Sequence, residues 1–449
     1  MKAALYTSAG PTLPVPGSSE LMVSNMPFIN ISHPEQNVSF PQAVVTGLGK
    51  GQGLFFPEHL TALTDVEGLL KKNFVSRSAI ILQHLIGDAM TQKDLLRCVK
   101  NAFNFPLKLE SVSKNVHALE LFHGPSLAFK DFGARFMAQC LAGFSAGQKT
   151  TILTATSGDT GAAVALAFYG QPGIDVVVLY PQGKVTPLQE KLFCTLGGNI
   201  RTIAIEDNFD ACQQLVKRSF DDHRLVEALG LNSANSINVA RLLAQVCYYF
   251  EAVAKLPEGV EPVFSVPSGN FGNVTAGLLA QAIGLPAKRM IAATNRNDTV
   301  PRFLQSGKWD PQPTVTTLTN AMDISLPNNF PRVLELEQRH GLPLEQVLTS
   351  FAIGDAETRD AVRVLDSLGY LADPHTALAW KALQDNLAEN ETGVFLCTAH
   401  PAKFRETIED VLKREVTLPE ALQQVAEKEV LSTVMPADFA ELRRFLMVD

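Results

Sequence analysis

Beyond residue 105 the apolar positions of this chain switch repeatedly between short continuous runs and helical spacing, and that switching predicts its elements. Thr150 to Ala155 is an apolar run rich in β-formers. The turn Ser157-Gly158-Asp159-Thr160-Gly161 follows, then a small apolar helix from Ala162 to Tyr169. A strand at Asp175 to Tyr180, a helix at Pro187 to Leu196, a strand at Asn199 to Ile205 and a helix at Phe209 to Phe220 continue the series. After residue 230 a second series contains a helix at Val239 to Ala254, a strand at Val263 to Val266 and a Gly/Asn loop at 267 to 273. A helix at Val274 to Ile283, a strand at Arg289 to Ala293, a late strand at Gly393 to Thr398 and a helix from Ala402 complete it. Residues 38 to 100 read as mixed and then mainly helical, with Asp65-Val66-Glu67 and Thr91-Gln92-Lys93-Asp94 as start signals. Alternating strands and helices imply an α/β fold of two open, mainly parallel lobes, with the chemistry between them. The chain divides accordingly into 1–36, a disordered extension; 37–104, an N-terminal region; 105–230, a smaller lobe; and 231–449, a larger lobe.

Composition narrows the classes. The 449 residues are 46% hydrophobic and 19% charged, which excludes a disordered or fibrous chain. A net charge of −8 argues against binding nucleic acid or an anionic membrane surface, although it leaves room for a small basic pocket. The six cysteines, at 98, 140, 194, 212, 247 and 397, are too widely spaced for a CxxC pair or a zinc knuckle. Cys140 and Cys247 fall in apolar-periodic stretches and read as buried thiols, which suits a reducing cytoplasm. The first 35 residues are Ser/Pro/Gly-rich with Lys2 as their one basic residue, unlike a presequence; they read as an extra tail, or as an upstream start with Met22 or Met26 as the natural one.

Three motifs fail on spacing. Gly47 to Gly53 places Gln52 where a dinucleotide fingerprint needs glycine, and Gln148 separates Gly147 from Lys149 in a phosphate-loop-like stretch. His340 and His375 lack a partner at metal-ligand spacing. The segment around Lys130 differs. Phe129, Phe132, Phe136 and Cys140 trace one helical face, and Ser126 is placed to cap that helix, which puts Lys130 in its first turn. Buried aromatics and a positive helix end push a lysine towards the neutral amine that attacks a carbonyl. Asp131 reads as a solvated or capping carboxylate. Two further loops, Ser157 to Gly161 and Pro267-Ser268-Gly269-Asn270-Phe271-Gly272-Asn273, each join a strand end to a helix start and could cradle an anion. A lysine of this kind with two such loops calls for a ligand carrying two phosphates, or a phosphate and a carboxylate.

Five ordered motifs carry a family resemblance: FHGPSLAFKDFG around Lys130, LTATSGDTGAA at 153–163, NSANSINVAR at 232–241, PSGNFGN at 267–273 and TAHPAKF at 398–404. With VSFPQAVVTGLGKGQGLFFPEHL at 38–60, they resemble the shorter, bacterial and fungal-type branch of the threonine synthase family from about Val38 to the C-terminus. The resemblance implies a fold-type-II, tryptophan synthase β-like lyase. It would use pyridoxal 5′-phosphate to convert O-phospho-L-homoserine and water into L-threonine and phosphate, the last step of threonine biosynthesis. It places Lys130 as the Schiff-base lysine, Gly269, Asn270, Phe271, Gly272 and Asn273 on the cofactor-phosphate loop, and Thr398 near the pyridine nitrogen. It places Ser157, Asp159, Thr160, Lys184, Asn238 and Arg241 towards the substrate. The alternative is another fold-type-II enzyme, a phospho-lyase or a serine/threonine dehydratase. The Lys184 and Arg241 pair favours a phosphorylated substrate. A cytoplasmic monomer or homodimer without metal is expected.

Overall fold

The computed structural model describes residues 26–447 apart from Ala146 and Gln148. Its main body holds two sheets. One has six strands in the order Leu348–Ala352, Arg289–Thr294, Val263–Pro267, Gly393–Cys397, Val116–Glu120 and Lys108–Ser113, all parallel except the last. The other has five parallel strands in the order Thr433–Met435, Ile200–Ile205, Ile174–Pro181, Thr150–Ala155 and Leu231–Asn232. Thr150–Ala155, Val263–Pro267 and Gly393–Cys397 are buried at every position, because helices cover both faces of the sheets. Such strands read as continuous apolar runs, not alternating ones, and so they stood out in the sequence. The expected helix starts at Val66 and Gln92 form as well, capped by the side chains of Asp65 and Thr91.

Sheet membership departs from the division at residue 230. Val116–Glu120 and Lys108–Ser113, assigned to the smaller lobe, pair in the sheet of the larger one, and Thr433–Met435 crosses in the opposite direction. Hydrogen-bond partners across hundreds of residues leave no trace in local periodicity. The extension also ends earlier than residue 36. Phe28–Asn30, His33–Val38 and Phe55–Pro57 form a small antiparallel sheet in which Phe28 is fully buried, its ring 5.5 Å from that of Phe40. His33–Val38 reads HPEQNV and has no buried position, so it carries no apolar signal. The first 25 residues of that extension lie outside the described residues.

Two helices between the sheets position the site. Lys130–Phe144 packs on Val239–Lys255 so closely that a Cβ on Gly133 would stand 2.9 Å from the Arg241 carbonyl oxygen. Only glycine permits that approach. The Phe132 ring fills the junction, with centroids 4.8 Å from Phe105 and 5.3 Å from both Phe103 and Tyr248. The carboxyl ends of the parallel strands open on the same crevice, which is where ligands bind in open α/β sheets.

Candidate active site

Lys130 is the first residue of its helix, but the expected cap by Ser126 does not form. The backbone N–H of Ser126 instead donates to Asp131 Oδ2 at 2.9 Å, so the carboxylate reaches back to hold the turn. Asp131 is fully buried, not solvated, and burial raises its pKa to about 6 against the opposing Ser126 hydrogen bond. Gly124 allows this arrangement, since a Cβ there would meet Asp131 Oδ2 at 2.3 Å. The same turn is stitched to the end of strand Gly393–Cys397. Phe129 N–H donates to the Thr398 carbonyl at 2.9 Å, and His400 N–H donates to that of Leu127 at 3.0 Å. Lys130 and the buried Thr398 are thereby neighbours by construction. Burial pushes the Lys130 amine down to about 8; nearby Asp159 opposes this, while Lys403 and Arg241 add to it.

The first anion loop is shaped by Thr156, whose hydroxyl accepts from the N–H groups of Gly158 at 3.0 Å and Gly161 at 2.8 Å. Gly158 has φ 143°, outside the range of other residues. Ser157 and Thr160 are half-buried. Asp159 is buried and engaged: Lys403 Nζ lies 2.5 Å from Oδ1, Gln189 Nε2 donates to Oδ1 at 3.1 Å, and Lys130 Nζ lies 3.8 Å from Oδ2. Burial alone would raise its pKa, yet the two lysines hold it far below the usual carboxylate range.

In the second loop the side chains serve as supports. Asn270 Nδ2 donates to Ser236 Oγ at 2.6 Å, while its Oδ1 accepts from Asn328 N–H at 2.6 Å. Asn273 Oδ1 accepts from the hydroxyls of Tyr248 at 2.6 Å and Tyr249 at 2.8 Å. Phe271 takes a left-handed φ of 61° and packs edge-on against Phe330. Gly269 lies so close to Met322 that a Cβ would stand 2.6 Å from its Cα. Asn273 Nδ2 is buried without a partner, and it remains, with the backbone N–H groups at the start of helix Gly272–Ala282, as a donor for an anion.

Two buried guanidinium groups belong to this region, Arg241 near Lys130 and Arg332 beside Asn329, which bonds the Asn270 carbonyl. Arg241 donates to the Ala234 carbonyl, and its Nε is buried without a partner. Arg332, 0% exposed, donates to the carbonyls of Phe55 (2.8 Å) and Ile237 (2.7 Å) and to Asn329 Oδ1 (2.7 Å). Among the described residues neither pairs with a carboxylate, and burial depresses their pKa values to about 10 and about 9. Buried cations without counter-ions mark a place where anions belong. Asn238 and Lys184 lie differently from the other expected contacts. Asn238 caps helix Val239–Lys255 through Oδ1 and donates Nδ2 to the Val44 carbonyl at 3.0 Å. Lys184 is exposed on the turn after strand Ile174–Pro181.

Sequence reasoning passed over Lys403, Gln189 and Arg332. Lys403 stood inside TAHPAKF, where a lysine near the C-terminus reads as surface charge; it is 1% exposed. Arg332 offered no signal beyond a polar stretch.

Known proteins resemble this chain along most of its length. Residues 104–399 match the pyridoxal-phosphate dependent enzyme family, residues 28–103 match the threonine synthase N terminus and residues 376–446 the threonine synthase C-terminal region. The chain is 59% identical over 424 residues to a threonine synthase of Haemophilus influenzae, covering 94% of this chain and 100% of that one. A crystal structure of Escherichia coli threonine synthase superposes with a TM-score of 0.91 at 57% identity, covering 94% of this chain and 99% of the other. A PLP-bound threonine synthase from Brucella melitensis superposes at 0.87 with 31% identity, covering 94% and 98%.

Proposed function

We propose, from the premise that this chain belongs to the threonine synthase family of pyridoxal-phosphate-dependent enzymes, a set of roles for the residues of its site. The activity is the conversion of O-phospho-L-homoserine and water to L-threonine and phosphate. The donor set fits the cofactor: a depressed lysine amine for its aldehyde, and helix-start N–H groups with the unpartnered Asn273 Nδ2 for its phosphate. When bound, pyridoxal phosphate supplies an electron sink conjugated to the substrate amine.

Lys130 would hold the cofactor, and its free amine is the base that takes the substrate's α-proton. Its depressed pKa leaves an appreciable share of free amine near neutrality, as a base needs. The observation carrying this reading is the position of that amine, 3.8 Å from Asp159 Oδ2, on a turn whose Phe129 N–H bonds the Thr398 carbonyl. Gly269 to Asn273 receive the cofactor phosphate through backbone N–H groups, with Asn270 and Asn273 fixing the loop's shape. Thr398 would help hold the cofactor ring, and its hydroxyl, being neutral, would impose no firm protonation there. Ser157, Thr160 and Arg241 take the substrate phosphate and carboxylate, an electrostatic role in a water-poor crevice. Asn238 acts by fixing the start of the Arg241 helix, and exposed Lys184 draws the anionic substrate to the mouth. Asp159 serves Lys130 before it serves substrate.

All six cysteines are free and buried, in keeping with the cytoplasm, and no helix among the described residues is long and apolar enough to cross a membrane. Incubation with O-phosphohomoserine is expected to release phosphate and threonine in equal amounts; phosphate with 2-oxobutyrate would instead mark a lyase. Arg241→Ala is expected to raise KM for the phosphorylated substrate roughly 30-fold or more, as for truncation of a buried charge partner. Cofactor affinity should change far less. Equal losses in both measurements would make Arg241 structural.

A further inference from the structure

We propose that Lys403 is a positioning residue for Lys130: it occupies one oxygen of Asp159 and so prevents that carboxylate from becoming the dedicated partner of the Lys130 ammonium. The proposal rests on the reading of Lys130 as the amine that receives the cofactor.

The geometry is asymmetric. Lys403 sits in the short turn Pro401–Phe404, 1% exposed, with Nζ 2.5 Å from Asp159 Oδ1 and donating to the Ser126 carbonyl at 2.8 Å. Oδ1 also receives Gln189 Nε2 at 3.1 Å. Lys130 Nζ faces the other oxygen at 3.8 Å, too far for an ordinary hydrogen bond. One buried carboxylate is therefore shared by two lysines, of which one is tightly bonded and the other is not. A buried Lys130–Asp159 pair alone would be neutral and would keep Lys130 protonated. Adding Lys403 leaves one positive charge in excess in a poorly solvated site. The site is relieved by losing a proton from the lysine with the weaker bonds, Lys130.

The surrounding charges do not change that order. Arg241, from helix Val239–Lys255, adds positive charge near Lys130. His375, from helix Pro374–Asn386, lies near Asp159 but is bonded to its own carboxylate, Asp373, at 2.6 Å. Asp131 lies beyond Ser126 and is itself pushed towards its neutral form by burial. Lys403 is thus the cation that decides how much of Asp159 is left for Lys130. The tether to Ser126 anchors Lys403 to the turn that presents Lys130.

The test is the pH dependence of pyridoxal 5′-phosphate capture by cofactor-free full-length protein, followed by stopped-flow absorbance, because capture needs the free amine. In Lys403→Met the midpoint is expected to move up by about one unit or more, making capture near neutrality roughly tenfold slower while the limiting rate at alkaline pH is retained. Lys403→Arg, which keeps the charge, should restore the wild-type midpoint. A uniform loss of rate with an unmoved midpoint, or a downward shift, would overturn the proposal. Should Lys403→Met fail to fold, Lys403→Gln carries the same expectations and the same refutation. Borohydride trapping and peptide mass mapping locate the captured cofactor; a site other than Lys130 would sink the Lys130 reading itself, an outcome distinct from an unmoved midpoint.

Discussion

Lys130→Ala is expected to abolish turnover while the protein folds as before. The substitution removes both the cofactor's attachment and the base at the substrate's α-carbon. Loss of positioned acid–base groups alone commonly costs a factor of about 10² to 10⁴, so kcat should fall at least to the bottom of that range. The fold should be spared for three local reasons. Alanine is the best helix former, and position 130 opens its helix. Asp159 keeps Lys403 and Gln189, so no buried carboxylate is stranded. The aromatic junction around Phe132 lies on the far side of the turn and loses nothing. Parallel assays of phosphate and threonine, with circular dichroism and thermal melting, check both halves. Threonine production at a wild-type rate would refute the assignment.

The second large effect concerns stability. Arg332 binds the Phe55 carbonyl of the N-terminal sheet, the Ile237 carbonyl before the Arg241 helix, and Asn329, whose amide donates to the Asn270 carbonyl at 3.1 Å. Arg332→Met removes every one of those donors and leaves two buried acceptors and a part-buried one. Each unsatisfied acceptor costs about 1–3 kcal/mol, and relief of the buried charge offsets part of the sum. A net loss of about 3–5 kcal/mol is expected in urea unfolding of the cofactor-free protein. Cofactor affinity should fall with it, since Asn329 supports the loop that receives the phosphate. Arg332→Lys should recover only part of either, because one ammonium cannot span three acceptors in fixed directions. An unchanged unfolding midpoint in Arg332→Met would mean that these carbonyls find water.

What was legible in the sequence follows a physical line. Strands buried on both faces, such as Thr150–Ala155 and Gly393–Cys397, declare themselves as apolar runs between Gly/Ser turns. The amine-bearing turn and both anion loops were also visible, because glycine, asparagine and serine at strand–helix junctions serve few other ends. Short or solvent-washed strands, Phe28–Asn30 and His33–Val38, were invisible for want of periodicity. Side chains that act through charge across the fold were the hardest to read. Lys403 and Asp159 are distant in sequence, and nothing local shows that a lysine will be buried against a carboxylate. Asn238 and Asp131 were visible as polar residues near the site, but only the fold shows that they brace turns and helix starts.

The crossing strands also constrain how the molecule can be made. During synthesis, Val116–Glu120 leaves the ribosome long before Gly393–Cys397, its parallel neighbour, and Ile200–Ile205 long before Thr433–Met435. At roughly 5–20 residues per second, the first interval lasts on the order of ten to fifty seconds. Throughout it the nascent chain carries apolar strands with unpaired edges, the surfaces on which chains stick to one another. Neither sheet can close on its own lobe first. A chain halted before residue 393 would be left with both edges open, so the two sheets are complete only after Thr433–Met435 is free.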